Sequence, residues 1–104
     1  MLILPDPLEF DWDQGNREKN WIKHKVSQEE AEQAFVNQPR FLFKDKPHSE
    51  TEERMGMFGR SNGGRGLSIV FIIRSNKVRI VSARDMSRKE RRSYEQIKKA
   101  KGYT

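Results

Sequence analysis

Apolar and polar positions alternate with period two in several short stretches of the chain, which is typical of β-strands. Residues 8–12 alternate apolar and acidic side chains, with Leu8, Phe10 and Trp12 predicted to point inward. Residues 69–73 are apolar throughout, which is typical of a central strand covered on both faces. The predicted strands are residues 8–12, 40–44, 54–61, 67–73 and 79–82, the last followed by a turn at 83–85.

Three helices are predicted from their capping residues. Asp13 is a suitable N-cap for a first helix, which is poor in apolar residues and is therefore expected on the surface. Ser27 with Glu30, and Ser87 with Glu90, have the spacing of capping boxes, in which each side chain bonds a free backbone N–H group. The predicted helices are residues 14–24, 28–36 and 88–100.

The predicted order is β-α-α-β-β-β-β-α. Short connections between the last four strands favour an antiparallel meander followed by a C-terminal helix. This arrangement belongs to the α+β class, and 104 residues are enough for one domain, predicted over residues 1–104.

Charge is divided unequally between the two halves of the chain. Residues 1–53 carry 7 Lys and Arg against 12 Asp and Glu, whereas residues 54–104 carry 14 against 3. The stretch from Arg79 to Tyr94 alone holds six basic residues. A basic half attracts polyanions, so RNA or DNA is the first expected partner. A solvated basic face without a ligand is the alternative.

Several classes of protein are disfavoured. The chain has no cysteine, which fits a reducing cytoplasm, and residues 1–6 lack the features of a signal peptide. The longest apolar run is far too short to span a membrane. No His, Cys or carboxylate spacing suits a metal, so neither a metal nor another cofactor is expected. We therefore predict a cytoplasmic protein that does not contact membranes.

Blocks of residues along most of the chain resemble the BrnT toxin family. The first is Phe10-Asp11-Trp12-Asp13, followed by Asn20 and Lys23-His24-x-Val26-Ser27-x-Glu29-Glu30-Ala31. The later blocks, in the same order, are Pro47-His48-Ser49-x-x-Glu52-Glu53-Arg54, Gly59-Arg60-Ser61, Arg79-Ile80-Val81-Ser82-Ala83-Arg84, Glu90-Arg91 and Tyr94. One departure is Lys25, because the family pattern usually has a glycine there, which takes left-handed geometry cheaply at a helix end.

The resemblance implies a RelE-like fold and a ribonuclease that is the toxin of a type II toxin–antitoxin pair. It also implies a BrnA-like antitoxin with a ribbon-helix-helix DNA-binding region. Contact with DNA would then be indirect, through the antitoxin.

Metal-free RNA cleavage requires a base, an acid and cations that stabilise the transition state. His24 is the leading candidate for proton transfer, because a histidine can both take and give a proton near neutral pH. Its alternative role is structural, at a helix C-terminus. Lys23 is a candidate phosphate clamp or a solvated lysine, and Glu53 is a candidate base or a partner of an arginine. His48 is a weaker acid–base candidate.

Arginines are the candidates for phosphate contact. Arg84, at the end of the last strand, is expected either to bind a phosphate bidentately or to pair with Asp85 or Glu90. Arg79 is expected to join it or to pair with Glu52 or Glu53. Arg54 and Arg60 flank Phe58 on one strand face, where a base could stack unless the ring is simply core. Arg88, Arg91 and Arg92 are expected to bind RNA backbone or an acidic antitoxin segment.

Two further functional hypotheses do not involve catalysis, and the first of them uses the same basic surface. One is a non-catalytic RNA-binding or ribosome-associated domain, and the other is a protein that acts only within an operator-bound complex. RNA cleavage distinguishes the ribonuclease from both.

Overall fold

The computed structural model describes residues 4–44 and 54–103. The helices are α1 (Gln14–His24), α2 (Gln28–Val36) and α3 (Arg88–Ala100). The strands are β1 (Phe41–Lys44), β2 (Met55–Arg60), β3 (Gly66–Arg74) and β4 (Lys77–Asp85). The α+β class is confirmed, the three helices have the predicted bounds, and each begins after its predicted N-cap residue. The predicted polar loop before β2, residues 45–53, lies outside the described residues.

The four strands form one antiparallel sheet in the order β1-β2-β3-β4, as the predicted meander requires. β4 is longer than predicted: the expected turn at residues 83–85 is wrong, because Ala83, Arg84 and Asp85 still pair with β3. The register of this pairing shifts between Val70 and Phe71 of β3, because β4 carries one extra residue there, Val81, as in a β-bulge. The bulge and the longer strand together determine which side chains meet at the end of β4.

The alternating segment at residues 8–12 pairs with the sheet through one parallel bridge, between Phe10 and Val78. The amide of Asp11 donates to the Val78 carbonyl over 2.8 Å, and the Val78 amide donates to the Glu9 carbonyl over 2.8 Å. The predicted first strand is therefore reduced to this bridge beside β4.

The hydrophobic core lies between α2 and one face of the sheet. Phe35 of α2 packs edge-to-face against Phe71 of β3, with ring centroids 5.1 Å apart. Ala31, Ala34 and Phe35 form the inward stripe predicted for α2. A Cβ atom on Gly59 would lie 2.8 Å from the Ala34 carbonyl oxygen, so β2 requires glycine where α2 crosses it. The other buried members are Val26, Met55, Met57, Leu67, Ile69, Val78, Ile80 and Ala83.

α1 is held along β4 by asparagines rather than by apolar side chains. The side-chain amide nitrogen of Asn16 donates to the Ile80 carbonyl oxygen over 3.2 Å. The Ala83 amide donates to the Asn20 side-chain oxygen over 2.9 Å, and both asparagines are buried. The surface location predicted for α1 is confirmed by Trp21, which is 51% exposed. Because residues four apart share a helix face, His24 follows Asn16 and Asn20 toward the end of β4.

α3 is anchored by Tyr94, whose hydroxyl donates to the Pro39 carbonyl oxygen over 2.8 Å in a buried position. The Tyr94 ring also packs against Phe41, with centroids 5.4 Å apart. These contacts fix α3 against the start of β1. Within residues 4–44 and 54–103, no helix has the length and apolar character that a membrane crossing requires.

Candidate active site

One side chain, that of Arg65, joins the ends of three elements. Its guanidinium donates to the main-chain oxygens of His24, over 3.0 Å, and Lys25, over 2.7 Å, at the end of α1. It also donates to Glu30 at the start of α2 and, over 2.6 Å and 3.2 Å, to both carboxylate oxygens of Asp85. Arg65 therefore fixes the end of α1 against the end of β4.

The half-buried His24 lies close to Asp85. Its main-chain oxygen is held by Arg65, which also binds the Asp85 carboxylate. The pKa of Asp85 is lowered, first by the hydrogen bond from Arg65 and also by the charges of Arg91 and His24. His24 and Asp85 are therefore linked through Arg65 at this end of the sheet. Lys23, next in the chain, is exposed.

A groove of about 320 Å³ opens beside Asp85, between the loop from β2 to β3 and the first half of α3. Arg60, Arg65 and Arg91 contribute to its walls, and Tyr94 lies among them. Burial raises the pKa of the Tyr94 hydroxyl, and the neighbouring Arg60 guanidinium opposes that effect. The remaining lining residues are Gly64, Gly66, Asp85, Met86 and Glu95. We call this the arginine groove, and its cations suit a phosphate.

Arg84 lies at the same strand end, but Glu90 holds its guanidinium. The two side chains form a bidentate ion pair with N–O distances of 2.7 and 2.9 Å. Glu90 also accepts from the Ser87 amide and the Ser68 hydroxyl. The hydrogen bonds from Arg84, followed by those from Ser87, lower the pKa of Glu90 to about 2 despite partial burial. Of the two predicted salt-bridge partners, Glu90 is the one that Arg84 uses, since Asp85 accepts from it only through a main-chain oxygen.

Arg79 lies near the opposite end of α1 from His24. Its guanidinium binds the Asp13 carboxylate over 2.6 Å, with the Asp11 carboxylate 3.5 Å away. Two hydrogen bonds lower the pKa of Asp13: the N-cap bond from the main-chain amide of Asn16 has the larger effect, and the bond from Arg79 the next. The structure therefore places Arg79 with the start of α1 and not with the arginine groove. The candidate partners Glu52 and Glu53, and also His48, lie outside the described residues.

The other predicted RNA-binding residues are divided between β2 and α3. Phe58 is half-buried and packs edge-to-face on Phe43, with centroids 5.0 Å apart. Arg54 is also half-buried and has an interaction partner. Three exposed arginines share a surface depression of about 420 Å³ on α3 with Glu95, Gln96 and Lys99; they are Arg88, Arg91 and Arg92. Of the predicted RNA-binding residues, Arg60 and Arg91 reach the arginine groove.

Sequence reasoning missed Arg65 altogether and considered Asp85 only as a partner of Arg84. A single arginine in a glycine-rich loop gives no periodic signal. Its partners lie up to 41 residues away, so no local motif marks them. Across residues 4–44 and 54–103, no group of three or more His, Cys, Asp or Glu side chains is placed to hold a metal ion.

A family model described as the ribonuclease toxin BrnT of a type II toxin–antitoxin system matches residues 12–90. The chain belongs to the BrnT family. The match runs from the segment before α1 through the start of α3. It includes the groove residues up to Met86, whereas Arg91, Tyr94 and Glu95 follow it. As a BrnT ribonuclease toxin of a type II system, the protein has RNA as its substrate class and an antitoxin as its partner.

The BrnT fold is shared with a solved relative. The 1.1 Å crystal structure of the Brucella abortus ribonuclease toxin BrnT superposes with a TM-score of 0.57 at 21% sequence identity. The match covers 78% of this chain and 99% of that one. Among curated proteins, no significant match is found.

The residue at which this chain departs from the BrnT pattern has the geometry that glycine would favour. Lys25 follows α1 with φ 55° and ψ 37°, in the left-handed region. Its amide nevertheless completes the end of α1 by donating to the Trp21 carbonyl oxygen over 2.9 Å. The cap is therefore the one expected of glycine, made by a lysine at a cost in backbone strain.

Proposed function

We propose that this BrnT-family toxin is an endoribonuclease that cleaves RNA at the arginine groove by metal-independent acid–base catalysis. The observation that carries the proposal is the convergence of one histidine and several arginines at one end of the sheet. The main-chain oxygen of His24 is held by Arg65, which lines the groove together with Asp85, Arg60 and Arg91.

The proposed reaction is an attack of a ribose 2′-oxygen on the adjacent phosphorus. A base removes the proton of the 2′-hydroxyl, an acid protonates the departing 5′-oxygen, and the products are a 2′,3′-cyclic phosphate and a 5′-hydroxyl. His24 is the proposed proton-transfer group, and Glu53 is the proposed base if His24 acts as the acid. Arg65 would position His24 by holding its main-chain oxygen, and Asp85 would hold Arg65 in turn.

Guanidiniums are proposed to stabilise the charge that develops on the phosphorane-like transition state. Arg60 and Arg91 line the groove from two sides and present planar groups suited to phosphate oxygens. Arg84 is proposed to assist from the end of β4, where Glu90 fixes the direction of its guanidinium. Lys23 is exposed beside His24 and is proposed to contact a neighbouring phosphate, whereas Arg79 is the candidate least supported by its position.

The proposed antitoxin is BrnA-like, with a ribbon-helix-helix region through which the complex contacts DNA. It is proposed to neutralise the toxin in the cytoplasm. A small neighbouring reading frame that encodes a ribbon-helix-helix protein, and whose product suppresses toxicity on co-expression, is the expected finding. The exposed arginines of α3 suit either RNA phosphates or an acidic antitoxin segment.

Cleavage of a single-stranded RNA in the presence of EDTA tests the catalytic mechanism. Wild-type protein is expected to cut the RNA and to leave an all-deoxy analogue intact, because the deoxy strand lacks the attacking 2′-hydroxyl. His24→Ala is expected to lose activity by at least about 100-fold, which is the usual contribution of a positioned acid or base. The chain's other histidine provides the matched comparison, as His48→Ala is expected to retain activity.

The outcomes separate the competing functions. Intact RNA under EDTA, with cutting restored by magnesium, contradicts metal independence. RNA binding without any cleavage favours the non-catalytic RNA-binding domain. A folded His24→Ala variant that cuts normally, or a large loss in His48→Ala instead, contradicts the assignment of His24 while leaving the family unaffected.

A further inference from the structure

A second depression, of about 370 Å³, adjoins the arginine groove and differs from it in chemistry. The two share Arg60 and Gly64. Beyond Arg60, the second depression is lined by uncharged residues, which are Asn37, Gln38, Ser61, Asn62 and Gly64. A phosphate is therefore suited to the arginine groove, and a neutral group with hydrogen-bonding edges is suited to the second depression.

Hydrogen bonds hold the side chains of Asn37 and Asn62 in this second depression. The Asn37 amide nitrogen donates over 2.9 Å to the Arg60 main-chain oxygen and over 2.9 Å to the Asn62 side-chain oxygen. The Asn62 main-chain amide donates to the Gln33 side-chain oxygen over 3.0 Å. Both protons of the Asn37 amide are thus used, which leaves its oxygen as an acceptor and the Asn62 amide nitrogen as a donor.

A nucleobase matches this donor and acceptor pair. Proteins recognise unstacked RNA bases through hydrogen bonds to their edges, and asparagine amides are suited to such paired contacts. The volume lies within the range of small-ligand sites, roughly 300–1,000 Å³. In single-stranded RNA a base adjoins every phosphate, so a strand whose phosphate lies in the arginine groove brings a base to the second depression.

We propose that Asn37 and Asn62 form a nucleobase-binding subsite that sets the base preference of RNA cleavage. The inference rests on the proposed function, since it assumes that RNA occupies the arginine groove. A purely structural role for the same asparagines, as a link between the end of α2 and the loop from β2 to β3, predicts a different result. If the role is purely structural, a substitution of either asparagine would lower the stability of the fold and leave the base preference unchanged.

Asn62→Asp is the discriminating substitution. It keeps the side-chain oxygen that accepts from Asn37 and replaces only the amide donor with a second acceptor. Asn76→Asp makes the same amide-to-acid change in the exposed turn between β3 and β4, at a residue that lines neither the groove nor the second depression, and is the matched control for added charge. A pool of RNAs is cut by each variant and the new ends are sequenced. The readout is the ratio of cleavage rates among the four bases, in which a uniform effect of charge cancels.

The proposal predicts that Asn62→Asp lowers the cleavage rate at the favoured base, relative to the rates at the other three bases, by about tenfold or more. This is the loss typical of one mismatched base contact. Asn76→Asp is expected to leave the ratios of wild type. Unchanged ratios in folded Asn62→Asp overturn the subsite, as does an equal change in the control.

A binding measurement tests the subsite without cleavage. The four nucleoside 3′-monophosphates and inorganic phosphate are titrated into the wild-type protein, and the side-chain amide resonances of Asn37 and Asn62 are followed by NMR. The proposal predicts shifts that depend on the base and that inorganic phosphate does not produce. The absence of such shifts, or equal shifts with phosphate alone, overturns it. Base-dependent shifts in a protein that cuts no RNA would support the subsite and refute the proposed ribonuclease mechanism.

Discussion

Glu90→Gln removes the charge at the centre of the network that connects the end of β4 with the start of α3. In the wild-type protein the Glu90 carboxylate binds Arg84 through both oxygens and accepts from the Ser87 amide. Glutamine keeps one acceptor oxygen but loses the negative charge. The variant therefore tests how far this ion pair stabilises the fold, and it leaves most of the local shape in place.

The expected magnitude follows from the pKa of Glu90. Folding lowers it from 4.5 to about 2. At about 1.4 kcal/mol per pH unit, this difference sets a ceiling of about 3 kcal/mol on the contribution to the free energy of unfolding. The Arg84 side chain is 42% exposed, so screening by solvent reduces the contribution. We expect Glu90→Gln to lower the free energy of unfolding by about 1–2 kcal/mol at neutral pH.

The pH dependence has a definite sign. Because folding lowers the pKa of Glu90, its ionised form favours the folded state above pH 4.5, and this stabilisation is lost as the pH falls from 4.5 to about 2. Urea unfolding of wild type and Glu90→Gln is compared at neutral pH and at about pH 3. The difference between the two proteins is expected to shrink at the lower pH.

The matched control is Glu95→Gln, on the same helix. The Glu95 carboxylate lies 3.5 Å from Lys98, and its side chain is 57% exposed, so the change is expected to cost less than about 0.5 kcal/mol at either pH. Equal destabilisation by both substitutions would refute the reasoning. So would a loss in Glu90→Gln that stays constant between the two pH values.

Three further predictions concern stability and are checked by urea or thermal unfolding. Asn20→Ala leaves the buried Ala83 amide without its acceptor and is expected to cost about 2–4 kcal/mol; a cost below about 1 kcal/mol would contradict this role. Gly59→Ala places a methyl group 2.8 Å from the Ala34 carbonyl oxygen and is expected to cost about 1–3 kcal/mol, unless α2 can shift freely. Lys25→Gly relieves a φ of 55° and is expected to raise stability by about 0.5–1 kcal/mol, whereas a decrease would show that the lysine side chain contributes more than the strain.

The parts of the fold that local chemistry determines could be predicted from the sequence. Ser27 with Glu30 and Ser87 with Glu90 mark helix starts because a capping box depends on residues three apart, and both boxes are present. The period-two pattern of β2 likewise puts Met55 and Met57 on one face of the strand, and the structure shows that this face is buried.

The parts that failed depend on distant partners. The end of β4 reads as a turn in sequence, but pairing with β3 and the bond from the Ala83 amide to Asn20 keep it extended. Arg65 binds Asp85 and His24, which lie 20 and 41 residues away, and no spacing rule connects such positions. The sequence alone could single out His24 as a titratable side chain. Its position near the arginine groove could be found only from the three-dimensional structure.

The asparagines of α1 also bear on how this protein meets other chains. An open sheet edge offers unpaired N–H and C=O groups, which can template aggregation or accept a strand from a partner. Because Asn16 and Asn20 bond the backbone of β4 at Ile80 and Ala83, α1 closes that edge to strand addition. A partner that binds by β-augmentation would have to join at β1, the strand at the other end of the sheet.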